Sequence, residues 1–107
     1  MKKQVIFTKQ AETFLLGLSA SSRACVREVF KLLSERGFLR APMAEKVEGQ
    51  KGLFEVRAKD AVGQYRVFYV YATNPYIVAL NGFVKKTART PQCEIEKALK
   101  IRKDLGL

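Results

Sequence analysis

Arg57, Arg66, Lys85, Lys86 and Arg89 are the residues of this 107-residue chain best suited to chemistry. The two arginines sit inside alternating apolar runs, Phe54-Glu55-Val56-Arg57 and Tyr65-Arg66-Val67, and the lysines follow directly on Gly82-Phe83-Val84. If these runs are neighbouring strands, Arg57, Arg66 and one of Lys85 or Lys86 converge on a single patch. Clustered cations repel one another until an anion visits, and they stabilise charge gathering on phosphate oxygens. Lys85 to Arg89 also leads up to a helix start at Thr90, where free backbone N–H groups favour phosphate. Each signal has a plainer reading. The Lys85–Arg89 stretch could be a solvated charge run, and Arg57 and Arg66 could be surface charges paired with Glu55 and Asp60. Glu55 shares a strand face with Arg57, and could take up a proton or only pair with its neighbour. Tyr65, Tyr69, Tyr71 and Tyr76 could stack on bases, although strand tyrosines more often pack into a core.

Composition sets the limits within which these residues act. Lys plus Arg total 20 against 10 Asp plus Glu, a formal charge of +10, which implies an anionic partner: nucleic acid, an acidic protein or a phospholipid surface. The chain has no histidine, which excludes Ser-His-Asp and Cys-His catalysis. Cys25 and Cys93 form no CxxC pair, and Asp60, Glu48 and Glu55 have no spacing suited to magnesium, so no metal or cofactor is expected. Both cysteines are expected to be free, buried or half-buried, in a reducing compartment. The longest uninterrupted apolar run, Val67 to Ala72, is far too short to span a bilayer. No apolar stretch of signal-peptide length follows Met1-Lys2-Lys3, and a cytoplasmic location is the expectation. Gly49, Gly52 and Gly63 form no phosphate loop and read as turn residues.

The elements that must position the cations follow from periodicity. Apolar residues make up 48% of the chain, enough for the core of one domain spanning 1–107. Val5-Ile6-Phe7 reads as a short strand, and Thr8 caps a helix carrying Ala11, Phe14, Leu15 and Leu18. A second helix follows Ser19-Ala20-Ser21-Ser22, with Cys25, Val29, Leu32 and Leu33 as its apolar stripe; Arg23, Arg27, Lys31 and Glu35 face out, and Gly37 ends it. Phe38 to Met43 is a connector, and Lys46 to Gly49 a short edge strand or turn. Strands are expected at Leu53–Ala58, Tyr65–Ala72 and Tyr76–Val84, joined by tight turns at Asp60–Gly63 and Thr73–Pro75 into an antiparallel meander. Pro91 stands at the first position of a last helix with Ile95, Ala98, Leu99 and Ile101 as a thin stripe. The class is α+β, two N-terminal helices packed on one face of a twisted antiparallel sheet, with a C-terminal helix.

Taken together, Leu53-Phe54-Glu55-Val56-Arg57, Gln64-Tyr65-Arg66-Val67-Phe68-Tyr69, Gly82-Phe83-Val84-Lys85-Lys86-Thr87 and Thr90-Pro91 resemble the RelE/HigB superfamily, toxins of type II toxin–antitoxin modules, in its phage-derived HigB-like branch. The resemblance runs from Leu53 to the C-terminus; the combined pattern is specific, each piece alone weak. It implies the RelE-like fold with a basic concave face, and a metal-independent endoribonuclease, an mRNA interferase acting on messages in the ribosomal A site. Cleavage there proceeds by attack of a ribose 2′-OH on the adjacent phosphate, leaving a 2′,3′-cyclic phosphate or 3′-phosphate and a 5′-OH. Arg57 falls where RelE-type toxins place a catalytic lysine, Arg66 matches their phosphate-binding arginine, and Lys86 or Lys85 matches the basic residue after the last strand. Glu55 stands where RelE itself has another lysine, and the tyrosine after RelE's final basic residue is missing. Because arginine holds its proton at neutral pH, the general base is left to Glu55 or to a lysine depressed by neighbouring cations. RNA contacts are expected from Lys59, Tyr65, Lys85, Lys86 and Arg89.

The implied partners are mRNA, the ribosome and a cognate antitoxin, acidic or of helix-turn-helix type, that covers the basic face and displaces the last helix. The free chain is expected to be a monomer and the neutralised one a hetero-oligomer. Two other functions remain open at this level. A gyrase inhibitor of the same fold lacks the cationic set kept here, and a nucleic-acid-binding module of a mobile element would bind without cleaving, with steep salt dependence.

Overall fold

Thr8 and Ser19 start the first two helices by the same device. Each has an extended backbone, and its hydroxyl accepts a hydrogen bond from the backbone N–H three residues on, at Ala11 and Ser22. The computed structural model describes residues 2–107. In chain order it contains β1 (Gln4–Phe7), α1 (Lys9–Leu16), α2 (Ala20–Arg36), β2 (Ala44–Lys46), β3 (Phe54–Lys59), β4 (Gln64–Tyr71), β5 (Tyr76–Lys85) and α3 (Gln92–Asp104). Gly37, at φ 77°, closes α2 in the left-handed region that residues with a Cβ avoid.

The buried line of α2 is Ser22, Val26, Phe30 and Leu33, while Cys25, Val29 and Leu32 flank it half-buried. The expected stripe is thus rotated by one residue. The reason is Ser22, a polar residue turned inward because its hydroxyl meets Asp60 and Tyr65. At α3 the helix begins at Gln92, and Pro91 is its N-cap with no side-chain bond. Both cysteines are free, but Cys93 is exposed, not half-buried: it lies in the first turn of α3, beside the inward-facing Ile95.

The sheet has the order β1-β5-β4-β3-β2. Strands β2 to β5 pair antiparallel, as the turn signals require, but β1 pairs parallel to β5, so the sheet is mixed. Parallel neighbours need a long crossover, and the chain between β1 and β5 supplies one through α1, α2 and the meander. Alternation sorts the side chains. Val56, Ala58, Tyr65, Val67 and Tyr69 pack with Ala11, Leu15, Val26, Phe30 and Leu33 under α1 and α2. On the other face Phe68, Val70, Leu80 and Phe83 pack with Ile95 and Ala98 of α3. A bulge lies in the β4–β5 ladder on the side of α3. Phe68 opposes Asn81 and Tyr69 opposes Ala79, which leaves Leu80 unpaired in the ladder and buried in the α3-side cluster.

Gly82 lies where β5 passes close under the Phe14 ring of α1. A Cβ there would stand 2.4 Å from Cδ2 of Phe14, near the root of a ring that packs on the core. Gly82→Ala is therefore expected to cost about 1–3 kcal/mol by overpacking. Urea unfolding reads this directly, and an unchanged midpoint would show that Phe14 swings clear at no cost.

Candidate functional site

Strand register builds the site. Arg57 on β3 lies directly opposite Arg66 on β4, and Glu45 on β2 directly opposite Glu55 on β3. Like charges facing each other across a ladder are destabilising, and here diagonal contacts offset the cost. Glu55 Oε2 is 3.4 Å from Arg57 Nη2, Glu55 Oε1 is 3.8 Å from Arg66 Nε, and Glu45 Oε2 meets the same Arg57 Nη2 at 2.5 Å. The four residues form a compact square of two carboxylates and two guanidiniums on the sheet face that also carries Phe68 and α3.

Burial makes the square consequential. Glu55 is only 4% exposed and Arg66 8%. Arg66 donates from its two terminal nitrogens to the Tyr65 carbonyl and to Gln64 Oε1, each at 3.3 Å. Burial pulls its pKa below the ordinary arginine value; the Glu55 charge opposes that shift and Arg57 adds to it. It remains a cation at neutral pH. Arg57 Nε, Arg66 Nε and Glu55 Oε1 are all buried without a hydrogen-bond partner. Both arginines line a cleft of about 270 Å³ whose other walls include Pro42, Met43, Lys59 and Gln64. An anion with several oxygens suits such a cleft, since unpaired buried donors carry a desolvation cost until one arrives.

Gln64 joins this cleft to a second one. It lies opposite Lys85 in the ladder, and with Lys85, Lys86, Thr87 and Ala88 it lines a cleft of about 380 Å³. The loop beyond β5 folds on itself: Lys85 Nζ donates to the Ala88 carbonyl and Thr87 Oγ1 to the Arg89 carbonyl. The structure therefore brings Arg57, Lys59 and Arg66 together at one cleft, with Glu55 buried against the two arginines outside its lining, and Lys85 and Lys86 at its neighbour. Arg89 lines neither.

Three sequence expectations need correction. Tyr65 does not face the cations. It is buried under α2, where its hydroxyl meets Ser22 Oγ at 2.8 Å and donates to Asp60 Oδ1 at 3.0 Å. Asp60 is no partner of the arginines either. It accepts from the Ser22 hydroxyl and from the backbone N–H groups of Val62 and Gly63, closing the β3–β4 turn. These bonds, that of Ser22 foremost, hold its carboxyl below the usual carboxylate range. Tyr65→Phe is accordingly expected to lower stability by about 1 kcal/mol in thermal melts while leaving affinity for RNA within twofold. A large loss of RNA affinity in a stably folded variant would return Tyr65 to the site. Glu55 is likewise no surface partner for Arg57, being buried between the two arginines.

Glu45 escapes the sequence reading because its edge strand was expected at Lys46–Gly49, whereas β2 is Ala44–Lys46. Only the register shows that a residue of the connector region enters the square. No helix among the described residues is long and apolar enough to cross a membrane. Nor do three His, Cys, Asp or Glu side chains among them gather to hold a metal ion.

Comparison with known proteins agrees with this architecture. Residues 13–103 match the family described as Phage derived protein Gp49-like. No curated protein matches the chain. Among solved structures, it is similar to a mutant of the Escherichia coli toxin RelE in the free state, with a TM-score of 0.69, 17% identity and coverage of 94% of this chain and 97% of that one. It is similar also to the toxin–antitoxin complex RelBE2 from Mycobacterium tuberculosis, with a TM-score of 0.61 and 22% identity over 79% of this chain and 100% of that one. A third likeness is to the archaeal RelE–RelB complex from Pyrococcus horikoshii, with a TM-score of 0.60 and 26% identity over 84% of this chain and 100% of that one. The fold is RelE-like, as the strings in Leu53–Pro91 imply.

Proposed function

We propose, from the premise that the chain belongs to the phage-derived Gp49-like family and has the RelE toxin fold, that it is the toxin of a type II toxin–antitoxin module and a metal-independent endoribonuclease acting on ribosome-held mRNA. One observation carries this reading furthest: two guanidiniums, each with a buried Nε–H that makes no hydrogen bond, line an open cleft beside Lys59, Lys85 and Lys86. A phosphodiester supplies the acceptors that cleft lacks.

In the reaction the ribose 2′-oxygen attacks the adjacent phosphorus, the P–O5′ bond breaks, and the products are a 2′,3′-cyclic phosphate and a 5′-OH. Arg66 and Arg57 hold the phosphate oxygens as charge gathers on them, and Lys86 or Lys85 stabilises the leaving 5′-oxygen or gives it a proton. The 2′-OH proton passes to Glu55 or to a lysine of the cleft rim. Lys85, Lys86, Lys59 and Arg89 bind flanking phosphates. The +10 charge suits both a ribosomal RNA surface and a neutralising acidic antitoxin. Two of the similar structures are complexes with RelB antitoxins, and a cognate antitoxin is proposed here in the same role.

The test is induced expression with primer extension on a translated reporter message, wild type beside Arg66→Ala. Growth arrest with cuts inside codons, absent in the variant, supports the reading. Growth arrest with intact messages favours gyrase as target. No effect from either protein leaves a binding module.

A further inference from the structure

Glu45 sits on Arg57 Nη2, on a guanidinium that the nuclease reading gives to a substrate phosphate, and the inference deepens that reading, on which it rests. The Glu45 carboxylate sits on Arg57 Nη2 from an edge strand of three residues, with side chains 42% and 32% exposed on the two sides of the contact. Its cross-strand neighbour is Glu55, another carboxylate, so Glu45 is repelled along the ladder and held only by the diagonal guanidinium. Glu55, by contrast, is buried and touches both arginines. Arg57 therefore has one permanent carboxylate and one at the solvent edge that can leave without unfolding anything.

We propose that Glu45 is a built-in competitor of the RNA backbone for Arg57: on binding, a phosphodiester takes the place of the Glu45 carboxylate and the acid swings into water. The contact is a half-exposed ion pair, so its displacement is cheap, and the carboxylate tunes affinity without blocking it. Its second consequence is selective. Arg57 opens to ligands that bring their own negative charge to the cleft and stays closed to neutral ones.

The experiment uses a short RNA with 2′-O-methyl riboses, which cannot be cleaved, titrated by fluorescence anisotropy at several salt concentrations. Four variants are compared with the wild type: Glu45→Gln, Arg57→Gln, the double variant, and Glu48→Gln. The last removes the same charge from an exposed residue on the loop after β2. Circular dichroism melts check folding. Glu45→Gln is expected to bind about three- to tenfold more tightly at low salt, Glu48→Gln less than twofold, and the gain is expected to vanish in the Arg57→Gln background. Wild-type binding with Glu45→Gln no better than Glu48→Gln, or a gain that survives loss of Arg57, overturns the competition and leaves the nuclease reading standing. Absence of binding by both wild type and Glu45→Gln overturns both.

Discussion

Arg66→Ala is expected to lower cleavage of ribosome-bound message by a factor of roughly 10² to 10³, the cost of removing one well-placed donor to a developing oxyanion. Arg66 combines the features that make such a donor effective. Its terminal nitrogens are fixed by the Tyr65 carbonyl and Gln64 Oε1, so the guanidinium plane is set before substrate arrives. Its surroundings are largely closed to water, which strengthens every interaction made there. Arg66→Lys should recover little, because a single ammonium cannot hold both existing partners and still reach a phosphate. Single-turnover cleavage measured over a range of substrate concentrations tests this. A loss in rate at saturation places Arg66 in the transition state, whereas a loss confined to KM makes it a binding residue. Cleavage by Arg66→Ala within threefold of wild type would reduce Arg66 to a structural role. Far-UV circular dichroism guards against a trivial result, since the alanine variant leaves Glu55 with Arg57 alone.

The fold was legible in the sequence wherever a local rule decided the structure. Thr8, Ser19 and Gly37 act as caps because their backbone and hydroxyl chemistry is local, and the meander follows from turn residues between alternating runs. What escaped was set by distant partners. The inward turn of Ser22 depends on Asp60 and Tyr65, some 40 positions away in the chain. The parallel placement of β1 depends on which edge the meander leaves open, and the bulge at Leu80 on the β4–β5 register. The candidate site divides in the same way. Alternation pointed to Arg57, Arg66 and one of Lys85 or Lys86 on one patch, and the register selects Lys85, opposite Gln64, for the face of the arginines. Alternation also puts Tyr65, next to Arg66, on the opposite face, and the expected RNA contact from Tyr65 overlooked that rule in favour of the stacking chemistry of a tyrosine. Glu45 required a strand boundary correct to two residues, finer than periodicity resolves in a three-residue edge strand.

Glu55→Ala is the second large effect, and it bears on stability before activity. The Glu55 side chain is 6% exposed, opposite Phe68 in the ladder, and its carboxylate is the acid within 4 Å of Arg66. Removing it leaves a guanidinium that is 10% exposed facing another cation across the strand pair, with only the more weakly acting Glu45 charge to oppose it. Breaking a buried pair from one side costs about 3 kcal/mol or more, a sizeable part of the stability of a domain this size. Arg57 is spared the same fate because it keeps Glu45. A fall in Tm of 10 °C or more is therefore expected, and a double-mutant cycle with Arg66 should recover most of it. Glu55→Gln then separates anchoring from proton transfer, since the amide keeps the volume and one acceptor but cannot serve as a base. If Glu55 acts by holding the arginines, this variant loses stability, its KM rises, and its pH–rate profile keeps the wild-type shape. If it takes the 2′-OH proton, the rate at saturation collapses and the acidic limb of the profile disappears while KM is unchanged. A carboxylate wedged between two guanidiniums is better placed to fix them than to receive a proton, so the first pattern is the expected one. In the proposed mechanism that pattern would assign the 2′-OH proton to a lysine of the cleft rim instead.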